Sequence, residues 1–313
     1  MIKLSIILLF LVSINLKAQD VHYSQFDKTK LLINPSLIAH QNNDYEMQLQ
    51  RRSQWASVTK PFNTFSLSFS TKNLYKNISL GAMILNDVSG DSDFSTDGLA
   101  LSFIKSISIK KNLFAISLQT AIYQRSVNYE ELIFIENEYF QNQKFRFFDI
   151  GFSCSNYKKI NNDSYFLAGV SSYHLNKPSQ SLTSKNRSRL SLKNIFYSMY
   201  CTSLNSKIDI SPTSYFSKQN QEKEIIIGTG VIYKLNNEVN LISGIYNRLK
   251  DAFFITLGME KERLQAIVSY DINISSLSAA SSYRGGVEIS INYGWNAGRE
   301  NKKVKQKVCP KYL

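Results

Sequence analysis

Cysteine, histidine and tryptophan are scarce: three, three and two residues in a chain of 313. Cys154, Cys201 and Cys309 are too few and too scattered for a disulfide scaffold, and their spacing fits no metal cluster. Cys154 and Cys201 fall within predicted strands among apolar neighbours and are expected as buried thiols; Cys309 stands apart near the C-terminus. His22, His40 and His174 lie far apart, none beside a nucleophile motif. G-x-S-x-G, H-E-x-x-H and a phosphate-cradling glycine loop are all missing, so no catalytic, cofactor or metal residue is assigned and the chain reads as a non-enzyme. Charged residues make up only 19%, and no Pro-, Gly- or Ser-rich linker or fixed-period repeat divides the chain. One domain is favoured.

Long apolar runs are also missing. The stretch from Leu4 to Leu16 follows Lys3 and precedes a small residue, Ala18, which reads as a signal peptide over residues 1–18 cleaved before Gln19. That run is too short to cross a bilayer, and nothing after it reaches the 18 or more residues a spanning helix needs. An exported chain without such a helix is periplasmic, extracellular or an outer-membrane barrel.

What the chain has is alternation. Phe65, Leu67 and Phe69 interleave with Thr64, Ser66 and Ser68; Phe114, Ile116, Leu118 and Ile122 with Ala115, Ser117 and Gln119. Leu264, Ala266, Val268 and Tyr270, then Val287, Ile289, Ile291, Tyr293 and Trp295, repeat the pattern near the end. A period of two puts apolar side chains on one sheet face and polar ones on the other. Fourteen such stretches predict strands near 46–57, 62–71, 78–87, 95–106, 111–125, 145–156, 164–174, 193–203, 206–216, 223–234, 238–247, 251–261, 263–272 and 284–295. Most have the 9–11 residues of a tilted spanning strand, and their number is even. The expected fold is all-β: a single-domain antiparallel transmembrane outer-membrane β-barrel of about 14 strands over residues 46–296, lipid outside and water inside. Residues 19–45 are expected as an N-terminal periplasmic segment and 297–313 as a C-terminal periplasmic tail.

The connections support this. Longer ones (Asp87 to Ser95, Ser126 to Lys144, Leu175 to Leu192, Asn273 to Tyr283) occupy alternate positions, with tight turns such as Leu204-Asn205 and Lys261-Glu262 between them. Outer-membrane barrels have long external loops and short periplasmic turns. Tyr123, Tyr157, Tyr173, Tyr215, Tyr233, Tyr246, Tyr293 and Trp295 near strand ends are expected as interfacial girdles. The formal charge of +13 becomes +11 once Lys3 and Lys17 leave with the signal. Its basic residues are scattered rather than gathered with aromatics, which argues against nucleic acid and leaves anionic lipid, acidic proteins or a plain solvated surface.

Short motifs stand at both ends. Gln19-Asp20-Val21-His22-Tyr23-Ser24-Gln25-Phe26 is followed by Asn34-Pro35-Ser36-Leu37, then Arg51-Arg52-Ser53-Gln54-Trp55 and Pro61-Phe62-Asn63-Thr64. Late in the chain come Ser269-Tyr270-Asp271-Ile272, Gly285-Gly286-Val287-Glu288-Ile289-Ser290 and Cys309-Pro310-Lys311-Tyr312. In this order they resemble the PorP/SprF family of type IX secretion system membrane proteins. That resemblance implies an outer-membrane component of the secretion and gliding apparatus, with periplasmic ring proteins and secreted adhesins carrying C-terminal sorting domains as partners. The motif residues Gln25, Phe26, Asn34, Pro35, Arg51, Gln54, Trp55, Cys309 and Pro310 become the candidate partner-binding set.

Alternatives stand beside several of these. The Gln19–Pro35 segment and the Lys-rich tail (Lys302, Lys303, Lys305, Lys307) either contact periplasmic machinery or brace and plug the barrel mouth. Arg51, Arg52, Gln54 and Trp55 either meet a partner, or Arg51 points into the lumen and Trp55 anchors the interface. Asp87, Asp91, Asp93 and Asp97 with Gly90 match a calcium loop only superficially, lacking its bidentate Glu. The apolar stretch Leu132 to Phe140 needs cover, inside the barrel or against another protein. A passive channel or hydrophobic-substrate transporter is the rival function.

Overall fold

The computed structural model describes residues 20–54, 60–90, 94–128, 143–180, 188–275 and 284–297. Fourteen strands follow two short helical turns: β1 (Tyr45–Gln54), β2 (Phe62–Tyr75), β3 (Ile78–Ser89), β4 (Phe94–Ile109), β5 (Asn112–Val127), β6 (Gln143–Lys159) and β7 (Ser164–Tyr173). The second half comprises β8 (Lys193–Ser203), β9 (Ile208–Gln219), β10 (Glu222–Lys234), β11 (Val239–Arg248), β12 (Ala252–Lys261), β13 (Leu264–Asn273) and β14 (Arg284–Trp295). Each strand pairs antiparallel with its sequence neighbour, and β1 closes on β14 from Tyr45↔Trp295 to Ser53↔Val287. Closure leaves no strand edge along the ring, the only sheet a bilayer tolerates. Among the described residues no helix is long and apolar enough to cross a membrane.

Alternation sets the two faces as expected. On β5, Phe114, Ile116, Leu118 and Ile122 are exposed on the outside, while Ala115, Ser117, Gln119 and Ala121 are buried inside. The same parity holds on β14, with Val287, Ile289 and Ile291 outward and Glu288 and Ser290 inward. Leu101 and Leu257 are over half exposed on this outer band, which is the surface a bilayer covers.

The barrel has a short-turn end and a long-loop end. Two-residue hairpins such as Lys110-Lys111, with Lys110 at φ 53°, close the short-turn end. At the other end the sequence between strands is long after Val127 and after Tyr173, although the β9–β10 and β11–β12 turns there are tight too. Tyr45, Phe69, Tyr293 and Trp295 form an outward aromatic patch at the short-turn end, with Tyr45 and Trp295 stacked at 5.4 Å.

Two expectations fail on parity. Tyr173, Tyr215 and Tyr246, expected in lipid girdles, are buried in the lumen. Tyr123 and Tyr157 line internal cavities. Tyr246 lies flat against its neighbouring strand because Gly228 and Gly244 lack a Cβ; one added at Gly228 would meet the Tyr246 ring at 2.3 Å. The thiols also differ from expectation: Cys154 and Cys201 are half-buried and free, Cys201 lining the lumen.

Candidate functional site

Residues 20–44, expected as a periplasmic segment with plugging of the barrel mouth as the alternative, thread the lumen. Asp20 sits at the long-loop mouth beside His174 and Gln219, and Gln41 at the short-turn mouth beside Ser70 and Lys72. Between them stand α1 (Lys30–Ile33) and a 3-10 helix (Pro35–His40). Thr29 Oγ1 donates to Phe26 O at 3.0 Å ahead of α1. The helix stops at Asn34, whose backbone is extended as the following Pro35 requires. Asn34 then caps the next helix by accepting from Ser36 N at 3.1 Å, with Pro35 in the first helical position. The segment folds this way because Asn-Pro ends one turn and starts another.

Three layers hold it. Toward the long-loop end is a buried charge cluster. Ser24 Oγ donates to Asp271 Oδ2 at 2.7 Å and accepts from Arg52 NH1 at 2.7 Å and Arg248 NH2 at 3.0 Å. Ser24 N and Gln25 N donate to the two Glu288 carboxylate oxygens at 2.8 and 3.0 Å. Arg52 pairs with Asp271 at 2.9 Å and Arg248 with Glu224 at 2.9 Å. Buried charges are costly unless paired and hydrogen-bonded, and here the lumen segment supplies part of that pairing.

Below it are two apolar cores. Phe26, Ile33 and Leu37 pack with Leu167, Tyr197, Tyr215, Tyr246 and Phe254, while Leu31, Ile38 and Ala39 pack with Met83, Ala100 and Ile104. Between these, Asn34 Nδ2 donates to Cys154 O at 3.2 Å and Val170 O at 3.1 Å, and Ser36 Oγ donates to Ser155 Oγ at 2.7 Å. Asn34, Ser36 and Ile38 have no exposed surface, so the segment fills the waist of the lumen.

The upper end is latched electrostatically. His174 Nε2 lies 2.6 Å from Asp20 Oδ2, its Nδ1 lies 3.0 Å from Asp149 Oδ1, and Arg125 is 3.7 Å from Asp20. Burial disfavours the imidazolium, but the flanking Asp149 and Asp20 carboxylates outweigh it and push His174 up to about 9. Burial likewise opposes an ionised Asp20, yet His174, Lys193 and Arg125 hold it below the usual carboxylate range. A cavity of about 380 Å³ opens here, lined by Leu85, Phe94, Phe147, Tyr173, Leu190 and Lys193 among others. A second, of about 580 Å³, opens at the short-turn mouth beside Lys30, His40, Tyr157 and Cys201.

The candidate residues thus divide. Gln25, Phe26, Asn34 and Pro35 come together on the lumen segment, buried against the wall. Arg51 does not join them. Expected to face the lumen, it is exposed on the outer face, because Glu46, Gln50 and Arg52 share the inward parity of β1. Gln54 sets its carboxamide against the Arg52 guanidinium. Trp55, Cys309, Pro310, the rest of the tail and the Leu132–Phe140 stretch lie outside the described residues. Of the acidic loop, Asp91 and Asp93 are also outside; Asp87 lines the lumen cavity and accepts from Thr64, whereas Asp97 lies on the opposite sheet face beside Asn86. Sequence reasoning offered Arg52 as a partner contact and Asp271 and Glu288 only as motif letters; it missed the buried pairing of Arg52, Arg248, Asp271 and Glu288 and the Asp20–His174–Asp149 contact. A signal existed for that pairing: charges at inward positions of spanning strands are expensive and therefore need a buried partner.

Comparison with known proteins agrees with this architecture. The sequence pattern of the family described as type IX secretion system membrane protein PorP/SprF matches residues 15–293. No curated protein matches. A solved structure of a TodX monoaromatic hydrocarbon channel mutant is similar at TM-score 0.54 and 9% identity, over 86% of this chain and 94% of that one. A Pseudomonas aeruginosa FadL homologue is similar at TM-score 0.51 and 9% identity, covering 84% and 93%. The Pseudomonas putida toluene transporter TodX gives 0.50 and 10%, covering 85% and 91%. At these identities the likeness is one of fold, an outer-membrane barrel. With the family pattern running through nearly every strand, the chain belongs to the PorP/SprF family of type IX secretion system membrane proteins.

Proposed function

We propose that this barrel acts without catalysis as a fixed outer-membrane platform of the type IX apparatus. Residues 1–18 direct its export and are removed. Its short-turn end faces the periplasm and anchors the ring proteins there, and the barrel helps export or surface attachment of large adhesins carrying C-terminal sorting domains. The observation that carries this reading is the occupied lumen. A segment tied to the wall by two apolar cores and a buried charge cluster makes the barrel a solid body, suited to positioning partners rather than conducting solutes. The tail from residue 297, with Cys309 and Pro310, is assigned to the periplasmic contact. Gln25, Phe26, Asn34 and Pro35 are assigned to holding the lumen segment.

The test is a pull-down of the tagged full chain from native membranes in mild detergent, with identification of bound proteins. Ring proteins should co-purify; their absence, with the barrel intact, would overturn the platform reading. Unchanged secretion and pull-down after deletion of residues 302–313 would remove the tail from it.

One observation favours a second reading, a path or binding site for small apolar molecules. The mouth cavity of about 380 Å³ sets aromatic and aliphatic walls, Phe94, Phe147, Tyr173 and Leu190 among them, against charged groups such as Asp20, Arg125 and His174, a concave site of the size small molecules occupy. Steady conductance or solute uptake by the reconstituted full chain would favour that reading over the platform.

A further inference from the structure

The short-turn rim is electrostatically lopsided. Three neighbouring turns, β2–β3, β4–β5 and β6–β7, present Lys76, Lys110, Lys111, Lys158 and Lys159, all exposed. None of the five has a carboxylate in ion-pair range among the described residues. The turns are stitched together: Lys105 Nζ donates to Lys76 O at 2.6 Å, and Lys159 N donates to Lys111 O at 3.0 Å. Asp163 is the one acidic residue on those three turns. On the remaining turns bases and acids nearly balance: Glu262 stands between Lys261 and Arg263, Glu238 is the one charge between β10 and β11, Lys207 the one between β8 and β9, and Lys234 pairs with Asp209 at 2.8 Å.

We propose that this basic crescent is a docking surface for an acidic face of a periplasmic protein. The inference rests on the platform reading and adds where the partner sits and what chemistry it presents. An annulus of anionic lipid surrounds a barrel on every side, so lysines serving lipid would be spread round the whole rim. Confinement to one half, with self-neutralised turns opposite, suits a partner of limited footprint. Like charges at this density repel one another and gain most from an opposing acidic surface, which raises the association rate and makes it salt-dependent. Leu74, Tyr75, Ile109 and Ile160 protrude among the lysines and offer apolar area once the charges have aligned the partners.

The experiment measures association of the purified ring-protein complex with the full chain in nanodiscs of zwitterionic lipid, over a salt series. A Lys110→Glu/Lys111→Glu/Lys159→Glu variant should associate about tenfold or more slowly at low salt and lose most of its salt dependence. A Lys207→Glu/Lys261→Glu/Arg263→Glu variant, carrying the same change in charge on the opposite half, should stay near the parent. Heat-modifiable gel mobility checks that both variants are folded barrels. An unchanged rate in the first variant, equal slowing in both, or binding that appears only with anionic lipid in the disc overturns the crescent while leaving the platform standing. Failure of the parent chain to bind the ring complex at all removes both.

Discussion

A Cβ placed on Gly169 would lie 2.5 Å from Asn34 Nδ2. The bare backbone at that point of β7 is what lets the lumen segment reach the wall, where Asn34 donates to the Cys154 and Val170 carbonyls. Gly169→Ala should therefore push Asn34 away and leave its buried amide without partners. The loss of two hydrogen bonds at about 1 kcal/mol each, with about 1–3 kcal/mol of overpacking, predicts a segment that opens far more often. Limited proteolysis of the folded barrel should show faster cleavage within residues 20–44. Unaltered cleavage would mean that the glycine is incidental.

Arg51 and Arg52 differ by one residue and should differ widely in consequence. Arg52 is 2% exposed and pairs with Asp271 while donating to Ser24. Arg52→Met leaves Asp271 and Glu288 buried with too little positive charge, which costs about 3–5 kcal/mol when one partner of a buried pair is removed. Arg51→Met on the outer face should stay within about 0.5 kcal/mol, the range of ordinary surface substitutions. Urea unfolding of the refolded barrel measures both. Adding Glu288→Gln and Asp271→Asn to Arg52→Met should recover part of the loss.

These two arginines also show what was legible in the sequence. The period of two located all fourteen strands and their outer face, because lipid demands one unbroken apolar side. It said less about the inner face, where Ile104, Tyr215 and Phe254 replace the water-facing residues expected of a lumen. Their reason is the segment from Asp20 to Asp44, whose own apolar residues they bury. Phe26 or Leu37 alone says nothing of a destination 130 or more residues later in the chain, so the lumen core was hidden while the barrel was not. The tyrosines misled for the same reason: near strand ends, only parity tells girdle from core.

The contact at the long-loop mouth should respond to pH. His174 is pushed up to about 9 from an ordinary 6.5, so its ion pair with Asp20 contributes fully below about 6.5 and is lost as pH rises through about 9. Asp20 is shifted the other way, so its contribution is present above its ordinary 3.8 and is lost only in strong acid. The latch should hold between those limits and loosen from pH 6.5 to 9. A spin label on Val21→Cys, with Cys154, Cys201 and Cys309 replaced by serine, should gain mobility over that window. His174→Gln should abolish the dependence, and a label equally mobile at every pH would discount the latch.

Phe26 is the aromatic anchor of the segment's first apolar core, and its surroundings predict a graded response. Its ring sits 5.2 Å from Tyr215, tilted, and 5.7 Å from Tyr246 and 6.3 Å from Tyr197, both edge to face. Removing a buried phenyl group typically costs about 3–5 kcal/mol, part of it the cavity left behind. Phe26→Leu keeps most of the volume and should cost under about 1.5 kcal/mol. The barrel wall has its own closed ladder of hydrogen bonds, so the loss should fall on docking of the segment rather than on the strands. Phe26→Ala should therefore keep the heat-modifiable mobility of a folded barrel yet expose residues 20–44 to protease, with Phe26→Leu between it and the parent. If Phe26→Ala instead abolished the folded band, the segment would be part of the barrel's folding core rather than a separately docked element.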